Sequence, residues 1–302
     1  MTLFKKITGL GAAAFIILGL AACGNDTTNA NQNNDDQTVG DSLNYEIVGI
    51  DPGSGHMHAT EKVMTEYDLS EWELTSSNGA SMTAALKRAY DKEEPIVVTG
   101  WNPHWKFLTY DLKFLDDPKL VYGDGEEQIH TYGRIGLKED LPEAYTILER
   151  FHWEPEDMGE IMLEIEDGAN PEEAARSWVD ANAEKVAEWT EGVNPVDGEK
   201  ITLALAPWDS EIASHNMIKH VLGDMGYDVT LTTVEPGPLF SALATGGADA
   251  SVAPWLPYTH KIYVDKYEGQ FEDLGPNMGG VRQGLVVPTY MEDVNSIEDL
   301  KN

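Results

Sequence analysis

Two stretches of the sequence, IVVTGWNPHW at residues 96–105 and ASVAPWLPYTH at residues 250–260, decide the fold and share one design. Each is a run of small and β-branched residues that closes with a tryptophan, and a proline stands two positions after Trp101 and after Trp255. β-Branched residues favour strands and proline resists continuing the hydrogen-bond ladder, so each stretch predicts a buried strand that ends in a fixed loop. Ligands bind at such strand ends in α/β sheets.

The sequence before each tryptophan repeats as well. A strand-like YEIVGI opens at residue 45 and KITLALA opens at residue 200, each about fifty residues before its tryptophan. Both units then alternate predicted helices (59–64, 82–89, 212–221, 238–244) with predicted strands (72–74, 95–99, 227–234, 249–253). Between the units, residues 140–190 have a purely helical pattern. The chain is therefore predicted to be an α/β protein with two similar lobes.

The first residues predict export and a lipid anchor. Lys5 and Lys6 precede an apolar stretch at residues 7–20, which is short for a membrane span of about 20 residues and is typical of a secretory signal. The stretch ends in Leu-Ala-Ala-Cys, which resembles the bacterial lipobox. Residues 1–22 are thus predicted to be a lipoprotein signal peptide, and residues 23–43 a disordered polar tether that starts at lipidated Cys23. The alternative is an ordinary signal followed by a chance cysteine.

Composition limits the class of protein. Cys23 is the only cysteine, so no internal disulfide can form and the core must hold the fold. The 20 Lys and Arg residues face 53 Asp and Glu residues, and the net charge of −33 excludes nucleic acid as a partner. So acidic a surface suits a salty milieu that screens the repulsion, or an ordinary extracellular protein.

The eight tryptophans separate by their predicted positions. Five are predicted to pack in the core of strands and helices: Trp72, Trp105, Trp153, Trp178 and Trp189. Three others stand beside a proline where a predicted strand meets a loop: Trp101, Trp208 and Trp255. Taken singly, each of the three is better explained by packing than by a ligand contact. Together, at equivalent strand ends of two similar units, they are expected to converge on one cleft.

Three indoles in one cleft predict a ligand with a diffuse positive charge. A quaternary ammonium has no N–H to donate, and aromatic faces attract it by about 0.5–2 kcal/mol per contact. Sugars also stack on tryptophan, so a nearby anion site is the discriminating feature. The segment GSGH at residues 53–56 leads into a predicted helix start, where free N–H groups favour a carboxylate, and His260 follows Trp255 closely. A cation cage beside a carboxylate pocket predicts a betaine.

Ordered motifs along the chain resemble the OpuAC family, the glycine betaine-binding lipoproteins of OpuA-type ABC importers in Gram-positive bacteria. After the lipobox the motifs are GIDPGSG (49–55), VTGWNPHW (98–105), EQIHT (127–131), AEWTEGV (187–193), WDSEIAS (208–214), ATGGADAS (244–251), WLPYTH (255–260), GLVVPTYM (284–291) and NSIEDLKN (295–302). The resemblance implies a type II periplasmic-binding-protein-like α/β fold, in which each lobe is a central mixed β-sheet flanked by helices. Most relatives carry the two halves in the opposite order, so the resemblance also implies a complete, circularly permuted chain.

The resemblance implies the roles of the site residues too. The family cages the trimethylammonium group with three tryptophans, which match Trp101, Trp208 and Trp255. Two backbone amides that match Gly55 and His56, and a histidine that matches His260, hold the ligand carboxylate. Relatives have an aliphatic residue at the position of His56. The amide contact is expected to persist, and the imidazole is a candidate source of pH dependence between about pH 5 and pH 8.

A two-lobed clamp follows from these roles. Residues 44–130 and 287–302 are predicted to form the first lobe and residues 131–286 the second, with hinges near 128–136 and 284–290. The lobes are expected to close on glycine betaine or proline betaine for osmoprotective uptake and then to dock on a membrane permease with a separate ATPase. The chain has no GxxxxGK[ST] loop of its own. We expect a monomer, lipid-anchored on the extracellular face of the cell membrane, without cofactor, metal or catalytic residue.

Other classes of function are weighed by their motifs. His56 and His58 are metal-ligand types, but residues two apart do not share a helix face, and the chain has neither HExxH nor GxSxG. An enzyme is therefore not expected. An adhesion module would explain the anchor and the acidity, yet it leaves the paired tryptophan loops unexplained. A binding protein for carnitine, choline or a sugar stays open.

Overall fold

The structure is a computed structural model that describes residues 38–301. Its strands are β1 (Glu46–Val48), β2 (Glu73–Thr75), β3 (Val97–Asn102), β4 (Leu112–Phe114), β5 (Gln128–Arg134), β6 (Lys200–Leu205), β7 (Asp228–Thr233), β8 (Ala250–Ser251), β9 (Trp255–Leu256), β10 (Phe271–Met278) and β11 (Arg282–Pro288). Its helices are α1 (Val39–Ser42), α2 (Gly55–Glu66), α3 (Gly79–Tyr90), α4 (Lys106–Thr109), α5 (Leu137–Asp140), α6 (Pro142–Arg150), α7 (Pro155–Glu166), α8 (Pro171–Ala181), α9 (Ala183–Thr190), α10 (Asp209–Asp224), α11 (Pro236–Thr245) and α12 (Lys261–Lys266), and a 3-10 helix spans Ile297–Lys301. No helix within residues 38–301 is long and apolar enough to cross a bilayer.

Two mixed sheets organise the fold. The first has the order β2-β1-β3-β11-β4, in which β1 is parallel to β2 and β3 while β11 is antiparallel to β3 and β4. The second has the order β10-β5-β8-β6-β7, in which β6 is parallel to β7 and β8 while β5 is antiparallel to β8 and β10. In both sheets the first strand of the unit lies between the second and third, and an antiparallel strand follows the third. The predicted two-lobed, type II α/β fold with mixed sheets is confirmed, and the circular permutation stays a prediction.

The strand pairings move the predicted lobe boundaries. β11 pairs with β3, so residues 282–286, predicted for the second lobe, belong to the first sheet. β5 pairs with β10 and β9, so residues 128–130, predicted for the first lobe, belong to the second sheet. The chain therefore crosses between the lobes in the β4–β5 connection and at residues 279–281. The predicted hinge positions are instead largely strand, held in hydrogen-bond ladders.

The predicted tether ends before residue 43. Thr38 caps α1, because its side-chain oxygen accepts from the N–H of Asp41 at 3.0 Å. Leu43 is buried in the core of the first lobe with Ile297 and Leu300. Burial of these apolar side chains stabilises this end of the domain. The signal peptide, Cys23 and the tether up to residue 37 lie outside the described residues.

The region predicted to be helical contains α5 to α9. Asn170 caps α8 as its position before Pro171 predicts, with its side-chain oxygen 2.9 Å from the N–H of Glu172. The chain turns at Asn182, between α8 and α9. Three of the predicted packing tryptophans meet here: the ring centroids of Trp153 and Trp178 are 5.8 Å apart, and those of Trp178 and Trp189 are 6.4 Å apart.

Candidate functional site

The strand ends of the two units meet at one cleft between the lobes. The cleft contains about 360 Å³ of space not occupied by atoms, part of it open to solvent. Its walls are Ile50, Ser54, His56, Trp101, Trp208, Ser210, Trp255, Thr259, His260 and Gln283. Five of the six residues predicted to contact a ligand are among these walls, and the sixth, Gly55, lies directly beside them.

Three indoles form the apolar part of the cleft. Trp101 is carried by the end of β3 in the first lobe, rather than by the loop that follows. Trp208 precedes α10 and Trp255 begins β9, both in the second lobe. Their exposed fractions are 7%, 9% and 6%, so each ring is almost fully withdrawn from water. The structure thus brings the three predicted cage residues together from both lobes.

The start of α2 supplies unpaired N–H groups. The side-chain oxygen of Ser54 accepts from the N–H of Met57 at 3.2 Å, and the first backbone bond of the helix joins the N–H of His58 to the carbonyl of Ser54. In the described chain the N–H groups of Gly55 and His56 have no acceptor. The helix dipole adds partial positive charge at this end, which favours an anion.

Glycine at position 55 allows the lobes to approach each other. A Cβ atom there would lie 1.7 Å from the carbonyl oxygen of Thr259, which belongs to the second lobe. Any side chain at residue 55 would therefore push the two lobes apart.

His260 presents a single hydrogen-bond donor to the cleft. Its Nδ1 accepts from the N–H of Trp255 at 2.8 Å, so the hydrogen of the neutral ring is on Nε2. Nε2 is buried and has no partner among the described residues. Burial lowers the pKa of His260 to about 3, which keeps the ring neutral. The ring also stacks on Trp208, with 6.1 Å between the centroids and 2° between the planes.

His56, the candidate source of pH dependence, is uncharged in the described structure. Its buried ring lies edge-on to Trp101, with the centroids 6.2 Å apart. Burial, with a smaller contribution from the charge of Lys106, lowers the pKa of His56 to about 3. The imidazole is therefore neutral throughout the range of about pH 5 to 8 in which an ordinary histidine titrates. His58 is exposed and faces Glu61, so the two histidines do not form a metal-binding pair.

Two residues of the cleft region were not predicted from the sequence. Lys106 is fully buried, and its Nζ, which has no hydrogen-bond partner in the described chain, lies 4.2 Å from the centroid of the Trp101 ring. Burial lowers the pKa of Lys106 to about 7, against the opposing charge of Asp209. Gln283 lies opposite Trp101 in the β3–β11 ladder, with its Oε1 buried and unpaired. A lysine in a short helix and a glutamine in a strand are ordinary surface residues by sequence, so no signal pointed to them.

Hydrogen bonds hold the two lobes against each other around the cleft. The indole Nε1 of Trp208 donates to Asp51 at 3.0 Å, and the indole Nε1 of Trp105 donates to Asp209 at 2.8 Å. Trp105 is 3% exposed, as its predicted packing role requires, yet its N–H reaches the other lobe. The described molecule is therefore in a closed arrangement.

The two lobes of the type II fold close over a cleft that combines aromatic faces with N–H donors suited to an anion. This arrangement defines the class of two-lobed substrate-binding proteins. The family profile described as "Substrate binding domain of ABC-type glycine betaine transport system", OpuAC, matches residues 26–181 and 199–302. The chain is also 49% identical over 301 residues to the "Glycine betaine/carnitine transport binding protein GbuC" of Listeria monocytogenes serotype 1/2a (strain 10403S), a match that covers 99% of each chain. The chain belongs to the OpuAC family.

Two solved structures contain chains similar in sequence to parts of this chain. Lactococcal OpuAC, in its closed-liganded conformation complexed with glycine betaine, is 40% identical with a TM-score of 0.45, over 51% of this chain and 62% of that chain. An ABC-transporter choline binding protein in complex with choline is 26% identical with a TM-score of 0.45, over 51% of this chain and 55% of that chain. This chain thus spans less than two-thirds of each of these solved chains.

Family membership sets the coarse function. The protein is the substrate-binding component of an ABC-type betaine importer, and it works on the extracellular side in association with the membrane and a permease. Proteins of this family bind a substrate for transport and are not enzymes.

Proposed function

We propose that the protein binds glycine betaine in the cleft, accepts proline betaine as a related ligand, and delivers them for osmoprotective uptake. Trp101, Trp208 and Trp255 cage the trimethylammonium group. The N–H groups of Gly55 and His56 and the Nε2–H of His260 hold the carboxylate. The observation that carries the proposal is the pairing, in one cleft, of three nearly buried indoles with unpaired N–H donors.

The two halves of the ligand need opposite surroundings. Each indole face attracts the cation by about 0.5–2 kcal/mol, and the attraction is strongest where water is excluded. The carboxylate accepts charge-assisted hydrogen bonds from the helix start and from His260, whose neutral ring donates without first binding a proton. Closing the lobes removes water and lowers the effective dielectric constant, which strengthens both sets of contacts together.

Tryptophan fluorescence of the purified protein tests the proposal. Titration with glycine betaine is expected to give a saturable change in emission, and maltose or trehalose to give none. Choline is expected to bind more weakly than glycine betaine, because it lacks the carboxylate that the donors require. A protein that responds to neither glycine betaine nor proline betaine would overturn the proposal.

A hydroxyl-bearing betaine such as carnitine is the second candidate ligand, and Gln283 favours it. Its buried Oε1 has no partner in the described chain, and glycine betaine has no hydrogen to donate to it. An unpaired buried acceptor costs about 1–3 kcal/mol, which a ligand hydroxyl would offset. The similar GbuC protein is named for glycine betaine and carnitine.

Carnitine and γ-butyrobetaine, the same molecule without the hydroxyl group, provide a matched pair of ligands. If Gln283 accepts the hydroxyl, calorimetry should show tighter binding of carnitine, and Gln283→Met should abolish that difference. Equal affinities of the wild-type protein for both ligands would rule out this role of Gln283.

We also propose that Cys23 is lipidated and anchors the protein at the extracellular face of the membrane. The support is the Leu-Ala-Ala-Cys sequence at the end of an apolar signal. Replacing Cys23 with Ser is expected to abolish incorporation of labelled palmitate into the protein. Labelling of the variant to the wild-type level would contradict the anchor.

A further inference from the structure

Two adjacent residues, Trp208 and Asp209, make hydrogen bonds in opposite directions across the cleft. The indole Nε1 of Trp208 donates to Asp51 Oδ2 at 3.0 Å, and Asp209 Oδ2 accepts from the indole Nε1 of Trp105 at 2.8 Å. Trp208 and Asp209 belong to the second lobe, and Asp51 and Trp105 to the first. Each lobe thus contributes one indole donor and one carboxylate acceptor.

His104 lies beside the second bond, but its Nε2 makes no hydrogen bond in the described chain. The Nδ1 of His104 accepts from the N–H of Lys106 at 3.2 Å, so the hydrogen of its neutral ring is on Nε2. That Nε2 lies 3.4 Å from Asp209 Oδ2. Burial lowers the pKa of His104 well below its ordinary value, so the ring stays neutral. Asp209 is also the first residue of α10, where the helix dipole stabilises a carboxylate.

The first bond fixes the plane of a cage wall. One face of Trp208 stacks on His260, and the indole has a single polar atom, Nε1, which Asp51 holds. Asp51 directly precedes the turn that carries the Gly55 and His56 amides, so it links the cation side of the cleft to the anion side. Because donor and acceptor are carried by different lobes, both bonds break when the lobes separate.

We propose that Asp51 and Asp209 are positioning residues: their reciprocal indole–carboxylate bonds orient the Trp208 wall and couple its orientation to closure of the lobes. The inference has two arms: an effect on ligand affinity, which rests on the proposed betaine function, and an effect on lobe closure, which does not. Because the bonds form only as the lobes close, they fix the aromatic wall at the stage when it encloses the ligand.

Affinity measurements on carboxylate variants test the first arm. Asp51→Ala and Asp209→Ala are each expected to weaken glycine betaine binding by about tenfold, mostly through faster dissociation, because a closed state without the bond opens more easily. Asp51→Asn keeps an acceptor oxygen for the indole N–H and is expected to recover most of the affinity. An Asp51→Asn variant as weak as Asp51→Ala would overturn the positioning role.

A matched control comes from the second lobe. The side chain of Asp273 is 42% exposed, close to the 40% of Asp209, and it accepts from His130 and Tyr132 of its own sheet. Asp273→Ala should leave betaine affinity within about twofold of wild type, because no bond across the cleft is lost. An Asp273 variant as weak as Asp209→Ala would mean that any lost carboxylate has this effect, which would also overturn the proposal.

Small-angle scattering of the ligand-free protein tests the closure arm without a betaine. The Asp51→Ala/Asp209→Ala protein is expected to have a larger radius of gyration than wild type, while its circular dichroism shows that both lobes remain folded. Equal radii would overturn the coupling to closure. Failure of wild type to bind any betaine, with the radius still increased in the variant, would reject the proposed ligand and support the bonds.

Discussion

The two tryptophan clusters of this protein are almost equally buried, yet they differ in the surroundings of their rings and in the partners of their indole N–H groups. The cleft triad, Trp101, Trp208 and Trp255, has exposed fractions of 7%, 9% and 6%. The packing triad, Trp153, Trp178 and Trp189, has 3%, 5% and 0%. Burial therefore does not distinguish a ring that lines the cleft from a core residue. The surroundings of each ring do, because the rings of the packing triad contact one another and Phe151, whereas the cleft triad lines empty space.

The indole N–H groups show the same difference. All three N–H groups of the packing triad are buried without an acceptor in the described chain, so close packing alone orients those rings. In the cleft triad the N–H of Trp208 is bonded to a carboxylate of the opposite lobe. Trp208 stacks on His260 with one face, and this bond adds a second restraint on a ring whose other surroundings include the open cleft.

The largest effect is expected for stability, at Trp189. Its ring is fully buried, and its centroid lies 5.0 Å from that of Phe151. Trp189→Ala should lower the free energy of unfolding by about 3–5 kcal/mol, because a large cavity replaces the ring. Chemical denaturation measures the loss. The folded fraction should bind glycine betaine with wild-type affinity, and a weakened affinity would contradict the separation of the two triads.

The next effect is expected for affinity, at Trp255. Trp255→Ala should weaken glycine betaine binding by at least about tenfold, because it removes one desolvated cation–π contact and opens the cage. Calorimetric titration measures the change, and Trp255→Phe should recover part of it by restoring an aromatic face. Trp178→Ala is the control with the same loss of an indole, and an equal loss of affinity there would mean that the triads are wrongly assigned.

The sequence identified the triads because their positions depend on local signals. β-Branched runs closed by proline marked the strand ends of Trp101 and Trp255, and helical periodicity placed Trp178 and Trp189 on a packed face. The same signals do not say which sheet a strand joins. The run at 284–288 is an apolar strand in either lobe, and only its pairing with β3 assigns it to the first.

Contacts between the lobes could not be predicted from the sequence either. Trp105 was predicted to be a core residue, and it is one, but its bond to Asp209 depends on how the lobes meet. Gly55 was predicted for its N–H group, while the structure shows that its missing side chain matters as well, because Thr259 of the other lobe occupies that space. Such contacts join residues more than a hundred positions apart in the sequence, so no local pattern encodes them.

Each triad has a lysine beside it, and the two lysines differ in their partners. Lys185 lies 5.7 Å from the Trp178 ring centroid, is partly exposed and forms an ion pair with Asp157. Lys106 lies 4.2 Å from the Trp101 ring centroid, is fully buried and has no hydrogen-bond partner in the described chain. An ammonium without a partner in a dry site opposes folding, and a charge behind Trp101 also opposes a cation bound in front of it.

The smallest effect on ligand affinity is therefore expected at Lys106, and it should depend on pH. Burial lowers the pKa of Lys106 from 10.5 to about 7, so the folded protein binds fewer protons at this site than the unfolded chain between those values. The destabilising contribution is then complete below about pH 7 and disappears as the pH rises towards 10.5. Lys106→Met, which keeps the length of the side chain without the charge, should raise the free energy of unfolding by on the order of 2 kcal/mol at pH 6 and by less at pH 9.

Lys106→Met should also tighten glycine betaine binding about two- to threefold at pH 6, since a like charge is removed from behind Trp101. Lys185→Met is the matched control. It should raise neither the free energy of unfolding nor the betaine affinity, because it removes a paired, partly exposed charge. An effect of Lys106→Met that does not change with pH would show that the buried amine is not the titrating group.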